Sequence, residues 1–196
     1  MSNIAGVILA AGGSSRLGEP KQLLTFRGAT LIQRAVRAAA EAGCDPVIVV
    51  AGDSAEAIRS ELGEENGIVV VENAEWRSGI GTSIRRGLEQ LTRSVEAVVL
   101  LTCDQPFVDA AIVGKLMAER ARTQKAIVAS SYADTLGVPA LFDRSCFDAL
   151  LTLPDRSGAK SLIQAHRDEA ASIAFEEGAV DIDTPEDFER LKQNRD

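Results

Sequence analysis

Short, continuous runs of apolar residues, rich in Val and Ile, recur along the chain between more polar segments. Runs of this length and composition are typical of strands buried on both faces of a parallel sheet. The pattern therefore predicts five parallel strands, within residues 5–11, 45–52, 67–73, 96–104 and 125–132.

The segments between these runs have apolar residues at helical spacing. In residues 30–43, Thr30 is positioned to cap the first helical turn and Gly43 to end the helix. Alternating strands and helices predict an α/β fold with a doubly wound, Rossmann-like and mostly parallel sheet. No repeat or long linker divides the sequence, so we expect a single domain over residues 1–196. Further helices are predicted within residues 54–63, 82–91 and 109–122.

Composition and charge narrow the classes of partner. The chain has 196 residues and a formal net charge of −8. That charge argues against nucleic acids and membrane surfaces, because both are anionic. The three cysteines have neither zinc nor disulfide spacing, and we find no secretion signal or membrane-spanning run. We therefore expect a cytoplasmic protein, in which a local basic pocket would still accept a small anionic substrate.

The loops that follow the first four predicted strands are expected to line one rim. Ligands of doubly wound sheets bind at the carboxyl ends of the strands, and these ends share one edge of the sheet. The four loops lie within residues 9–22, 51–56, 73–83 and 102–108.

The first of these loops, residues 9–22, has the sequence LAAGGSSRLGEPKQ, and we call it the glycine loop. A tight turn would need only one or two glycines. Exposed backbone N–H groups and hydroxyls beside Arg16 and Lys21 suit an anion, especially a polyphosphate. The loop matches neither the dinucleotide fingerprint nor the P-loop, since Glu19 and Pro20 replace the P-loop's Lys and Ser or Thr. The predicted anion-binding residues are Gly12, Gly13, Ser14, Ser15 and Gly18.

Two acidic segments contain candidate ligands for a divalent cation. Asp104 ends the fourth predicted strand, where its carboxylate either binds Mg²⁺ or opens a turn before Pro106. Near the end of the chain, Thr184 and the acidic residues after it have the pattern of a helix start. That role accounts for neither Asp183 nor Asp181, which would point to the same side of an extended segment.

The third loop contains Gly79, Thr82 and Ser83, for which two roles are compatible. Thr82 or Ser83 would cap the following helix, and the hydroxyls and nearby N–H groups suit the base or ribose of a nucleotide. Asp53, after the second strand, is a further ribose candidate that turn formation explains equally well.

Six segments in series resemble the signature of the MobA-like NTP transferase family. They are LAAGGSSRLGEPKQLL, GIGTSIRRGL, TCDQPFV, GVPALF, DRSGAKSL and DIDTPEDF, and they span nearly the whole chain in the family's order. Within the family, the chain is most similar to molybdenum cofactor cytidylyltransferases. Guanylyl-transferring relatives usually begin Leu-Ala-Gly-Gly with two consecutive arginines, whereas this chain has Ala11 before Gly12 and a single arginine.

The resemblance implies a reaction in which an acceptor phosphate attacks the α-phosphorus of CTP and pyrophosphate leaves. Arg16 and Lys21 would hold the triphosphate and the leaving pyrophosphate. The family's D-x-P motif assigns Asp104 to Mg²⁺, and its D-T-P-E-D motif makes Asp183 the second ligand, with Asp181 as a rival. The base and ribose are expected on the backbone of Ala10, Ala11 and Gly12, near Gly79, Thr82 and Ser83.

The resemblance also implies a molybdopterin-type phosphate as the acceptor, and a molybdoenzyme or chaperone as the partner that receives the product. A segment ending at Phe142 is expected near the acceptor, together with Arg156. The matching family loop has Gly and Arg where this chain has Pro154 and Lys160, so the acceptor stays open. The alternatives are GTP, a sugar or alcohol phosphate, and non-catalytic nucleotide binding with delivery of the cofactor.

Overall fold

The computed structural model describes residues 3–14, 16–64 and 66–193, in which strands and helices alternate. The strands are β1 (Ile4–Ala10), β2 (Thr25–Phe26), β3 (Ala29–Thr30), β4 (Val47–Ala51), β5 (Ile68–Glu72), β6 (Ala97–Thr102), β7 (Ile127–Tyr132), β8 (Thr135–Asp143) and β9 (Ala171–Ala174). The α-helices are α1 (Leu31–Glu41), α2 (Ala55–Leu62), α3 (Ile80–Leu88), α4 (Ala110–Thr123), α5 (Phe147–Leu151), α6 (Ala159–Ala165) and α7 (Pro185–Gln193).

Within the described residues, seven strands form one mixed sheet in the order β5-β4-β1-β6-β8-β7-β9. β8 runs antiparallel to β6 and β7, and the other neighbouring pairs are parallel. β2 and β3 form a separate antiparallel hairpin. The predicted α/β fold with a mostly parallel sheet is confirmed, as are all five predicted strands.

Helices pack on both faces of the sheet, and β1 shows why its sequence is continuously apolar. Ile4 and Ile8 belong to the core under α1, α2 and α4. Val7 and Leu9 belong to the core under α3, α5 and α6. Every residue of β1 is buried, so neither face of the strand needs polar side chains. No helix in the described part of the chain is long and apolar enough to cross a bilayer.

Two strands of the main sheet, β8 and β9, lack the signal that predicted the others. Gly137 and Pro139 interrupt the apolar run of β8, and β9 is a four-residue edge strand with alternating exposure. A two-residue turn joins β7 to β8, with φ of 44° at Ala133 and 57° at Asp134. Positive φ at both positions matches the twist of a tight hairpin.

The first turns of α1 and α7 are capped as the sequence predicts. The Gln33 N–H donates to the Thr30 hydroxyl at 3.3 Å, and the Gln33 side chain accepts from the Thr30 N–H at 3.1 Å. This capping box satisfies two N–H groups at the start of α1. At α7, the Asp187 N–H donates to the Thr184 hydroxyl at 3.2 Å, and the Asp187 carboxylate accepts from the Thr184 N–H at 2.9 Å.

The start of α3 differs from the prediction. The helix begins at Ile80, with Gly79 in the capping position, so the predicted cap at Thr82 or Ser83 is wrong. Gly79 has a φ of 141°, a conformation that residues with a side chain rarely adopt. The Thr82 hydroxyl donates back to the Gly79 carbonyl at 2.7 Å and is therefore inside the helix.

Two helical glycines predict opposite effects of the same substitution. A Cβ at Gly87 in α3 would lie 2.5 Å from Val7 Cγ1, whereas a Cβ at Gly114 in α4 would meet nothing within 4 Å. We expect Gly87→Ala to reduce the free energy of unfolding by about 1–3 kcal/mol through overpacking. Gly114→Ala should increase it by about 0.5–1 kcal/mol, because alanine favours the helix. Urea unfolding measures both, and equal effects would contradict this packing of α3.

Candidate active site

The loops after β1, β4, β5 and β6 line two cavities at one rim, as the strand directions predict. The glycine-loop cavity, of about 230 Å³, is lined by residues 10–14, 18–20 and 52–54 with Gln22. The carboxylate cavity, of about 160 Å³, is lined by residues that include Ala11, Gly12, Lys21, Trp76, Ser83 and Asp104. The two cavities share Ala11 and Gly12, so they adjoin at the carboxyl end of β1.

The glycine loop is closed by contacts of Ser14. The Lys21 N–H donates to the Ser14 hydroxyl at 2.8 Å, and the Leu17 N–H donates to the Ser14 carbonyl at 2.9 Å. Ser14 and Gly18 have φ of 46° and 76°, which are left-handed conformations that bend the chain back. Of the predicted anion-binding residues, Ser15 lies outside the described residues.

Gln22 holds the first residues of the glycine loop, a role that was not predicted from the sequence. Its Nε2 donates to the carbonyls of Ala10 at 2.6 Å and Gly12 at 2.9 Å. The residue is 1% exposed, and its Oε1 is a buried atom with no hydrogen-bond partner among the described residues. In the sequence, the sign of this role is a polar residue directly before two leucines, Leu23 and Leu24. A polar side chain that the fold buries needs hydrogen-bond partners.

The ammonium group of Lys21 brings two carboxylates together. Its Nζ lies 2.6 Å from Asp104 Oδ2 and 3.1 Å from Asp183 Oδ1. Arg16 Nη2 lies 3.3 Å from Asp183 Oδ2 at the outer side of the group. Burial lowers the pKa of Lys21, but the charge of Asp104 and its hydrogen bond outweigh burial and raise that pKa above its ordinary value. The Lys21 side chain is therefore a permanent cation in this arrangement.

Asp181 lies close to this group without joining it. Partial desolvation, followed by the negative charges of Asp104 and Asp183, raises the pKa of Asp181 to about 6. Among the described contacts, the Lys21 ammonium group pairs with Asp183 and not with Asp181. The ion pair with Lys21 distinguishes Asp183 from Asp181 in this structure, and the choice of Asp183 as the second metal ligand stays a prediction.

The donor set fits a hard divalent cation that keeps several of its own ligands. Asp104 and Asp183 supply carboxylate oxygens that converge on one cationic group. The described residues contain no group of three or more His, Cys, Asp and Glu side chains that would enclose a metal. Mg²⁺ commonly takes one or two carboxylates and completes its shell with phosphate and water.

The start of α3 is held by Asn73, a second residue missed from the sequence. Asn73 Nδ2 donates to the hydroxyls of Thr82 at 2.8 Å and Ser83 at 3.0 Å. The Thr82 hydroxyl donates within the first turn of the helix and Thr82 lines neither cavity, so its contact with a nucleotide stays a prediction. Ser83 lines the carboxylate cavity and accepts from Asn73, which leaves its proton available to a ligand.

The two segments expected near the acceptor differ in how close they lie to the rim. Phe142, the last residue of the first segment, is completely buried in the sheet core. The earlier part of that segment does approach the rim, since the Val138 carbonyl accepts from Gln105 Nε2 at 3.1 Å, next to Asp104. Arg156 is exposed and its backbone packs against Gly79.

Residues 6–170 match the MobA-like NTP transferase domain. The chain belongs to this family. Members of the family are NTP-dependent nucleotidyltransferases, and this is the general activity of the chain. Over 96% of both chains it is 29% identical to the nicotine blue oxidoreductase of Paenarthrobacter nicotinovorans. It is 24% identical to the molybdenum cofactor cytidylyltransferase of Escherichia coli K12, over 98% of this chain and 97% of that protein.

A solved structure shares the whole architecture. The crystal structure of Rv0371c from Mycobacterium tuberculosis superposes with a TM-score of 0.85 at 32% identity, over 98% of this chain and 99% of that one. A second structure of Rv0371c, in complex with manganese, has a TM-score of 0.79 at 30% identity, covering 98% and 99% of the two chains. A homologous protein of the same fold therefore binds a divalent metal.

The raised pKa of Asp181 predicts a pH-dependent cost to stability. Because this carboxyl binds its proton more tightly in the folded than in the unfolded protein, stability should fall as the pH rises from about 4 to about 6. Asp181→Asn should remove that fall and stabilise the protein at pH 8, by the order of 1 kcal/mol after screening by solvent. Urea unfolding in EDTA from pH 4 to 8 measures this. Parallel pH profiles for the two proteins would contradict the assigned environment.

Proposed function

We propose that this protein is a Mg²⁺-dependent nucleotidyltransferase that transfers CMP from CTP to the phosphate of a molybdopterin-type cofactor, with release of pyrophosphate. The observation that carries the proposal is the convergence of Asp104 and Asp183 on Lys21, at 2.6 and 3.1 Å, beside the glycine loop. Phosphoryl transfer needs this combination, because catalysis consists mainly of positioning and of stabilising negative charge.

Each charged residue has a distinct part in the proposed reaction. Asp104 and Asp183 would hold Mg²⁺, which when bound neutralises charge on the phosphates. Lys21 would move its ammonium group from the carboxylates to phosphate oxygens as the triphosphate enters. Arg16, whose side chain is 67% exposed, would exchange its ion pair with Asp183 for the outer phosphates and stabilise the leaving pyrophosphate.

The choice of cytidine rests on Ala11. This residue is 5% exposed and lines both cavities, and we expect its methyl group to lie at their junction. A methyl there would crowd the second ring of a purine and leave room for a pyrimidine. The relative from Escherichia coli is a cytidylyltransferase, which supports the same choice. GTP and non-catalytic nucleotide binding are the competing hypotheses.

The proposed acceptor rests on weaker sequence similarity and on charge. Arg156 has no ion pair among the described residues, and its backbone lies against Gly79 at the rim. A free guanidinium at that place suits a phosphate monoester. The alternative acceptor is a sugar or alcohol phosphate. A molybdoenzyme or chaperone would receive the product.

The nucleotide and the acceptor are tested together by release of pyrophosphate. The purified protein is incubated with Mg²⁺ and each of CTP, GTP, ATP and UTP, with and without molybdenum cofactor. We expect release with CTP only when the cofactor is present. Equal or better turnover of GTP would overturn the choice of cytidine, and no release with any triphosphate would overturn the transfer reaction.

The matched control for that assay compares two aspartates. Asp104→Ala should lower kcat by about 10²–10³, because it removes a group that stabilises charge at the phosphates. Asp148→Ala removes an exposed carboxylate on α5, outside both cavities, and should leave the rate unchanged. Turnover by a folded Asp104→Ala variant within a few-fold of the wild type would refute the role of Asp104.

Nucleotide preference provides a second prediction. Ala11→Gly should raise the kcat/KM of GTP relative to that of CTP, because it opens space for a purine ring. Ala5→Gly is the control, since Ala5 is a completely buried residue of the same strand, β1, and lines neither cavity. The ratio of kcat/KM for the two nucleotides is measured in competition. The steric explanation is wrong if both variants shift that ratio equally or if neither does.

A further inference from the structure

Trp76, the only tryptophan of the chain, lies between β5 and α3 with its indole ring on two glycines. A Cβ at Gly13 would lie 2.5 Å from Trp76 Cη2, and a Cβ at Gly52 would lie 3.0 Å from Trp76 Cγ. The first distance is incompatible with a real side chain, and the second would require the ring to shift by a few tenths of an ångström. The ring therefore packs directly on the backbone that follows β1 and on the backbone that follows β4.

The size of Gly13, and not its backbone conformation, is what this contact requires. Gly18 has a left-handed φ of 76°, but Gly13 and Gly52 do not have positive φ. Gly12 differs as well, because a Cβ there would meet only Lys21 Cε, at an ordinary 3.8 Å. Of the adjacent glycines at the start of the loop, Gly13 is thus the one whose missing side chain admits the indole.

The indole ring is held from two sides. Its Nε1 donates to Asp53 Oδ1 at 3.3 Å, and the Arg77 guanidinium lies 4.4 Å from the ring centroid. Arg77 also bonds Asp53 Oδ2 at 2.7 Å. Asp53 is therefore engaged with Trp76 and Arg77, which accounts for its place at the rim without a ribose. The cation–π contact and the hydrogen bond to Asp53 both favour this orientation of the ring.

Trp76 also lines the carboxylate cavity, together with Lys21, Ser83 and Asp104. One residue thus contacts the glycine loop and borders the space beside the two carboxylates. The described part of the glycine loop is also held by hydrogen bonds of Gln22 and Ser14 and by the ion pairs of Arg16 and Lys21 with the two carboxylates. Trp76 is the side chain that packs on the loop at Gly13.

We propose that Trp76 is a positioning residue for the nucleotide. By packing on Gly13 it holds the glycine loop so that the backbone N–H groups face the triphosphate, and one edge of its ring borders the nucleotide. This inference rests on the proposed function, in that the ligand is taken to be a nucleoside triphosphate. Its consequence is energetic coupling between Trp76 and Gly13 that appears in nucleotide binding.

A double-mutant cycle tests the coupling through the affinity for Mg²⁺-CTP, measured by calorimetry where all variants are folded. Gly13→Ala should weaken binding about ten- to hundredfold, since a loop displaced by about 1 Å is enough for such a loss. In the Trp76→Ala background, Gly13→Ala should add no further loss. Gly12→Ala is the matched control and should show no coupling to Trp76→Ala, while Trp76→Phe should restore part of the affinity.

Additive losses from Gly13→Ala and Trp76→Ala would overturn the inference and leave the proposed function standing. The unique tryptophan gives a second reading, because its fluorescence emission should change as Mg²⁺-CTP saturates the protein. Unchanged emission at saturation would likewise overturn the inference. If the wild type binds no triphosphate, the proposed function fails. In that case the free energy of unfolding is measured for the same single and double variants. Additive effects on it would exclude the contact between Trp76 and Gly13.

Discussion

The ammonium group of Lys21 is the point at which three distant segments of the chain meet. The glycine loop supplies Lys21, the end of β6 supplies Asp104, and the segment before α7 supplies Asp183. With its side chain only 12% exposed, the lysine is stable there because two carboxylates compensate its lost hydration. The Ile182 N–H adds a bond of 3.0 Å to the Asp104 carbonyl, so the same junction fixes the backbone before α7.

The fold was largely predictable because its signals are local and repeated. Four of the five predicted strands are largely buried on both faces, and the partly exposed edge strand β5 still has a continuous apolar run. The cap of α1 at Thr30 has the expected hydrogen bonds. β8 escaped prediction because its pairing with β6 and β7 buries it although Gly137 and Pro139 interrupt the run. Tertiary pairing, and not local preference, makes that segment a strand.

The candidate site was predictable in its charged residues and not in the residues that support them. Arg16 and Lys21 were identified by the glycines and hydroxyls beside them, and Asp104 by its place at a strand end together with the family's D-x-P motif. Gln22 and Asn73 act through buried hydrogen bonds whose partners are far away or are backbone atoms. The early start of α3 depends on Asp155, whose carbonyl accepts from the Gly81 N–H at 2.8 Å. A contact over that separation leaves no local pattern.

The antiparallel direction of β8 affects how related proteins that share the nucleotide site can come to bind different acceptors. Because β8 is antiparallel, the turn at Ala133 and Asp134 lies at the same edge as the carboxyl ends of β6 and β7. Residues inserted in that turn would extend over the rim without breaking a strand pair, since hairpin tips tolerate added length. A longer turn would therefore change which acceptor binds beside Asp104 and Asp183. The glycine loop follows β1, on the other side of β6, and would keep its geometry.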